Sequence, residues 1–192
     1  MSESVDFPRK DATEVIAELS RRFREPARER RIYAVLGQYA QLDKFLPRVQ
    51  QLCQKGFLDD KSQQVGFYDM NLALLDCLGS KGMMDKAMGL SDSMRNNELA
   101  RMLAKMWPEW LSERVNENHG LVLCGFELFF AYLDSNALAL VRQYAINGKH
   151  ICLILPATEQ DRQVWAFHEA PEDRRQITGL VSEWTYILKD GA

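Results

Sequence analysis

The sequence predicts one α/β domain built on a three-layer, mostly parallel sheet. It has a P-loop-like or Rossmann-like core and a helical insertion between the second and third strands. Three observations lead there. Ile32 to Leu36, Leu121 to Cys124 and Ile151 to Leu155 are apolar runs with no polar interruption, as strands covered on both faces are. Segments of helical period separate these runs, and right-handed βαβ crossovers are the near-universal way to join them. Finally, 192 residues with 46% hydrophobic and 27% charged side chains carry no repeat, low-complexity tract or linker, which sets one domain over 1–192.

An N-terminal helix is expected within 1–28. Asp11 and Glu14 form a capping-box pattern, and Val15, Ile16, Leu19 and Phe23 follow at helical spacing up to about Pro26. Ile32 to Leu36, closed by Gly37, is the first strand. Leu42, Phe45, Leu46, Val49 and Leu52 mark the next helix, with Pro47 in its first turn and Gly56 near its end. Val65 to Tyr68 reads as the second strand.

Residues 71–117 form the helical insertion, two or three helices broken near Gly79 to Gly82 and Ser91 to Asn97. The last of them carries Leu99, Met102, Leu103, Met106, Trp110, Leu111 and Val115 on one stripe, starts at Asn96 or Asn97 and is kinked by Pro108. Leu121 to Cys124 and Ile151 to Leu155, ending at Gly125 and Pro156, are the two central strands. Ser135 or Asn136 caps the helix between them, and Asn147-Gly148 supplies its left-handed C-cap. Val164 to Phe167 and Trp184 to Leu188 are later strands near a sheet edge.

A net charge of −3 and a pI near 5.7 argue against a dedicated nucleic-acid binder, which shows a basic footprint. No signal-peptide or bilayer-length apolar run is present, so a cytoplasmic protein is expected. Cys53, Cys77, Cys124 and Cys152 lie far apart in apolar segments with no CxxC pair, and read as reduced core thiols.

In open parallel sheets ligands bind beyond the carboxyl ends of the strands, so the loops after Leu36, Tyr68, Cys124 and Leu155 are the places to search for chemistry. The first, Gly37-Gln38-Tyr39-Ala40-Gln41-Leu42-Asp43-Lys44, lies where a phosphate-binding loop would lie. In the pattern GxxxxGK[ST], however, Leu42 replaces the second glycine and Asp43 the lysine, while Lys44 comes one residue late and precedes Phe45. A hydrolase would also hold magnesium through an acid behind a hydrophobic strand, and Glu127 is the one candidate there. A glutamate capping the next helix is the duller reading of that residue. On the rival reading as a nucleotide-binding protein, Gly37, Lys44 and Glu127 are the working parts of a degenerate site.

Other chemistry is weaker. His119, His150 and His168 form no HxxxH or HxH pair, so no metal is expected. Asp69 and Asp76 would make a carboxylate pair only against the competing reading of Asn71 as a helix cap. No catalytic residue and no cofactor is assigned.

Surface chemistry remains. Phe126, Phe129, Phe130 and Tyr132 crowd the segment behind a central strand; core packing is the default for most of them, but the cluster is also a candidate docking patch. Arg21, Arg22, Arg24, Arg28, Arg30 and Arg31, interrupted by Glu25 and Glu29, read first as a solvated helix end, and alternatively as a surface for phosphates or an acidic partner.

Phe67-Tyr68-Asp69-Met70-Asn71-Leu72-Ala73-Leu74-Leu75, followed by Gly82-Met83-Met84, the helical insertion, Leu121-Val122-Leu123-Cys124-Gly125, Leu138 to Val141 and Ile151 to Pro156, resembles the small BrxB-type proteins of BREX phage-defence systems. The Glu-Leu-Phe-Phe run and Ala170-Pro171-Glu172-Asp173-Arg174-Arg175 are closer to the BrxF type, whose P-loop this chain lacks. Phe126-Glu127 and Pro156-Ala157 depart from the small residues and Pro-Gly of the BrxB-like pattern. The resemblance covers about Ile32 to Phe167. It implies a non-enzymatic component that binds defence proteins such as the PglZ-type phosphatase-like protein or the BrxC-type ATPase. A nucleotide-binding protein with a degenerate loop, and a nucleic-acid-binding accessory using Arg21 to Arg31, are the alternatives.

Overall fold

The computed structural model describes residues 7–25, 31–56, 64–80, 89, 91–133, 135–160, 163–167, 175–177 and 184–189. The strands are β1 (Arg9–Lys10), β2 (Ile32–Gly37), β3 (Val65–Asp69), β4 (Gly120–Cys124), β5 (His150–Gln160), β6 (Gln163–Ala166), β7 (Arg175–Gln176) and β8 (Thr185–Leu188). The helices are α1 (Ala12–Arg24), α2 (Tyr39–Lys55), α3 (Met70–Ser80), α4 (Asp92–Glu117), α5 (Glu127–Tyr132) and α6 (Ser135–Ile146).

The main sheet runs β1-β8-β2-β5-β4-β3, and every pairing within it is parallel. Without the two-residue β1, its chain order reads 5-1-4-3-2. That is not the dinucleotide-binding order 3-2-1-4-5-6. The core is a three-layer α/β fold that opens on a strand–loop–helix unit, β2 and α2, without the Rossmann strand order.

Alternation along the strands builds the three layers, because successive side chains leave opposite faces. Ile32, Ala34 and Leu36 join Leu121, Leu123, Ile151, Leu153 and Leu155 under α3, α4, α5 and α6. Tyr33 and Val35 join Val122, Cys124, Cys152 and Ile154 under α1 and α2. On the first face Trp107 of α4 donates its indole N–H to the Ala137 carbonyl at 2.9 Å, which satisfies a buried donor and ties α4 to α6.

Several boundaries differ from the sequence reading, each for a local reason. The capping box of Asp11 and Glu14 is present, but β1 precedes α1, its two residues hydrogen-bonding to β8 at the edge. Helix α2 begins at Tyr39, where Gln41 Oε1 accepts from the Gln38 amide at 2.7 Å. Pro47 consequently lies inside the helix and not in its first turn. Helix α4 starts at Asp92 rather than near Asn96, and continues through Pro108 to Glu117.

Strand β5 does not stop at Pro156. The parallel ladder with β2 ends at the pair Gly37 and Pro156, after which β5 turns to antiparallel pairing with β6. A proline is tolerated at that junction because the ladder that would need its N–H has ended. Gly148 takes φ +89° behind α6, as the Asn147-Gly148 C-cap predicts. His168, Arg28, Arg30 and the 170–174 segment lie outside the described residues. Among the described residues, no helix is long and apolar enough to cross a membrane.

Candidate functional site

The carboxyl ends of β2, β3 and β4 bring together residues from three loops. At the end of β3, Asp69 Oδ1 accepts from the amides of Asn71 at 2.9 Å and Leu72 at 3.2 Å. Asp69 is therefore the cap of α3, the part the sequence reading gave to Asn71. Asn71 instead spans to the next loop: its Oδ1 accepts from the Leu128 amide at 2.9 Å, and its Nδ2 donates to Glu127 Oε2 at 2.7 Å. Tyr39, the first residue of α2, donates its hydroxyl to the other oxygen, Glu127 Oε1, at 3.1 Å.

Glu127 thus does not cap α5 with its own side chain. It is held between α2 and α3, half-buried, with one donor on each carboxylate oxygen. Behind it, Gly125 takes φ +64°, and a Cβ there would overlap the Asp69 carboxylate. Tyr39 and Asn71 are the partners that sequence reasoning missed. A tyrosine in a degenerate loop and an asparagine two residues into a helix carry no pattern that links them to an acid 56 and 88 positions away.

The candidate nucleotide residues are not brought into one site. Gly37 is the last residue of β2, and the space a Cβ would take is lined by Gln41 Oε1 and Leu188 at 3.1 Å, so its own neighbours fill the approach a phosphate would need. Lys44 faces a cleft on the α1 side of α2, formed with Gln38, Arg48 and Lys189, whereas Glu127 contacts Tyr39 and Asn71. A second cleft, of about 490 Å³, runs between α3 and α4 and is lined by Tyr68, Asp69, Asp76, Cys77, Trp110 and Arg114. Both Asp69 and Asp76 reach it, but Asp69 is committed to the α3 cap and Asp76 is exposed on the helix surface.

The aromatic patch is corrected by burial. Phe126 and Phe129 are wholly buried, and Phe129 packs edge-on to Trp107 at 5.0 Å, so they belong to the core. Phe130 and Tyr132 are half-buried against the same core, Phe130 meeting Phe167 at 5.4 Å. The segment is crowded because α5 is short and packs on both α3 and α4.

The arginine segment is also tied up within the chain. Glu18 accepts from Arg21 at 2.7 Å and from Arg22 at 3.1 Å, and Glu25 pairs with Arg21, with Arg31 at 3.2 Å and with Arg22 at 3.5 Å. The Arg22 guanidinium also stacks 3.5 Å over Trp184. The hydrogen bond from Arg21, reinforced by Arg22, holds the Glu18 carboxyl below its ordinary pKa. Arg24 is exposed on the same helix.

At the opposite, amino edge, His119 and His150 come together with ring centroids 5.2 Å apart. Among the described residues no group of three or more histidines, cysteines and acids is placed to hold a metal ion. No family model matches the chain, and neither the curated proteins nor the solved structures compared with it give a match.

Proposed function

We propose that this chain is a non-catalytic interaction module, an α/β core that docks on other proteins and does not hydrolyse nucleotide. One observation carries the reading. Glu127, the acid that the sequence places behind the central strand β4 to serve magnesium, has both carboxylate oxygens engaged by Tyr39 and Asn71, away from Lys44. Splitting the would-be acid from the would-be phosphate lysine removes the convergence that phosphoryl transfer needs.

The docking half of the proposal is supported by α3. Leu72 and Leu75 are 61% and 40% exposed, and Leu72 borders the cleft containing Tyr68 and Trp110. Exposed aliphatic residues next to aromatic ones are the material of an interface centre. The resemblance to BrxB-type proteins gives the setting we propose, an anti-phage defence assembly with the PglZ-type phosphatase-like protein or the BrxC-type ATPase as partner. The engagement of Arg21, Arg22 and Arg31 by Glu18 and Glu25 weighs against the nucleic-acid alternative.

The test is purification of the tagged chain from its host without cross-linker. Stoichiometric recovery of one of those defence proteins, lost in Leu72→Glu/Leu75→Glu, is the expected result. Recovery of the chain alone, or ATP turnover that Lys44→Ala abolishes, would overturn the proposal.

A further inference from the structure

The cleft that takes Lys44 away from Glu127 has a composition of its own. It measures about 580 Å³ and lies where α1 begins, α2 begins and β8 ends. Lys44, Arg48 and Lys189 line it, and its interior wall is formed by Phe45 and Leu188, which are buried. Lys44 and Arg48 are four residues apart on α2, so they share a helix face where like charges repel. Among the described residues, none of the three cations has a carboxylate within ion-pair distance; Arg48 donates only to the neutral Thr13 hydroxyl, at 3.0 Å.

Among the described residues, the single acid in the lining is Asp11, and it is committed elsewhere: its Oδ1 accepts the Thr13 amide at 2.8 Å and the Glu14 amide at 2.9 Å to cap α1. Three cations therefore face one capped carboxylate in a concave space. The first turn of α2 carries no acid, so the positive end of that 17-residue helix adds to the same field.

The walls are also fixed in place. Gln41 donates to the Leu188 carbonyl at 3.1 Å, the Lys189 amide donates to the Lys10 carbonyl at 3.0 Å, and Arg48 reaches Thr13 on α1. Four elements are thus joined around the cleft by hydrogen bonds that need no ligand, which lowers the ordering cost of binding.

We propose that this cleft binds a small phosphate-bearing anion, with Lys44, Arg48 and Lys189 as its charged contacts and the Thr13 hydroxyl at its rim. The volume lies in the range of small-molecule sites and exceeds what a single inorganic phosphate fills, so a phosphate chain is the better match. Among the described residues of the lining, the one aromatic, Phe45, is buried and offers no face to stack a base. The phosphates, and not the nucleoside, are the recognised part. The site does not depend on Glu127, and it stands or falls separately from the docking proposal.

The experiment uses the full chain with pyrophosphate and ATP as probes, in calorimetry and thermal unfolding at low salt. Millimolar pyrophosphate is expected to raise the Tm by on the order of 5 °C, with ATP equal to it. Lys44→Ala/Arg48→Ala/Lys189→Ala is expected to weaken binding at least ~10-fold while leaving the unliganded Tm in place, since all three are exposed, and Lys105→Ala on α4 to change nothing. No binding of pyrophosphate, binding that survives the triple substitution, or binding of poly-glutamate or a single-stranded oligonucleotide in the absence of pyrophosphate binding would overturn the proposal.

Discussion

Asp69 occupies the space that a side chain at Gly125 would need: with φ at +64°, a Cβ on Gly125 would overlap the Asp69 carboxylate. Two loops at the carboxyl edge therefore pack backbone against carboxylate, and the acid stays free to cap α3 only because residue 125 is glycine. Gly125→Ala is expected to destabilise the protein by roughly 2 kcal/mol, from the left-handed backbone and the overlap together. Asp69→Ala should cost about 1 kcal/mol as a lost cap. The double variant should fall short of the sum, because one change removes the clash the other creates. Urea unfolding of all four proteins measures this; strict additivity would show that the two residues do not compete for space.

Asn71 should matter more than the glutamate it holds. Glu127→Ala removes two hydrogen bonds from a half-buried carboxylate, a loss of about 1 kcal/mol. Asn71→Ala removes the bond to Glu127 and also leaves the Leu128 amide without its acceptor, so roughly 2 kcal/mol is expected. Asn71→Asp keeps the acceptor but sets two carboxylates side by side, and should be no better than alanine. Denaturation midpoints in the order wild type, Glu127→Ala, then the two Asn71 variants check the arrangement; an inverted order would mean Glu127 is the organising residue.

The strands and layers were legible because their signals are local. Ile32 to Leu36 and Ile151 to Leu155 read as strands covered on both faces because they are short, apolar and closed by Gly37 and Pro156, and Asp11 with Glu14 writes the start of α1 within four residues. Boundaries failed where a neighbour decided them. Pro156 reads as a strand end, but the hairpin with β6 carries β5 onward, and Pro47 reads as a first-turn residue because the Gln38 to Gln41 cap is not a common pattern. The candidate site was less legible still. Lys44 and Glu127 both sit near strand ends in the sequence, yet the direction each side chain takes, one toward α1 and one toward α3, follows from packing that spacing does not encode.

Thiol chemistry should follow burial. Burial pushes Cys53 up to about 12, and raises Cys124 to about 12 with the nearby Asp69 and Glu127 carboxylates adding to the effect, while fully buried Cys152 is raised as well. Since the thiolate is the reactive form, these three should resist Ellman's reagent in the native protein, and Cys77, half-buried on α3, should react first. Four thiols should titrate in denaturant. Fast native labelling of Cys53 or Cys124, located by peptide mapping, would contradict their burial between α2 and the sheet.

Acid sensitivity of the fold should centre on the buried histidine. His150 is fully inaccessible, stacked against Phe23 at 5.3 Å and lying 3.1 Å, through Nδ1, from the Tyr33 hydroxyl. Burial, helped by neighbouring His119 and Arg31, lowers its pKa from 6.5 to about 4. The folded state thus resists a proton that the unfolded chain accepts below pH 6.5, so stability is intact above that pH and falls until pH 4 is reached. The loss should be about 2 kcal/mol by pH 5 and on the order of 3 kcal/mol at the end of the window. His119, whose pKa is also lowered by burial, acts in the same direction. Tyr33→Phe/His150→Phe replaces both partners by apolar rings, which avoids leaving one polar group unpaired. Urea unfolding at pH 7, 6 and 5 should show a shallower decline in the double variant than in wild type, by about 2 kcal/mol across that range; parallel declines would assign the acid sensitivity to groups other than His150.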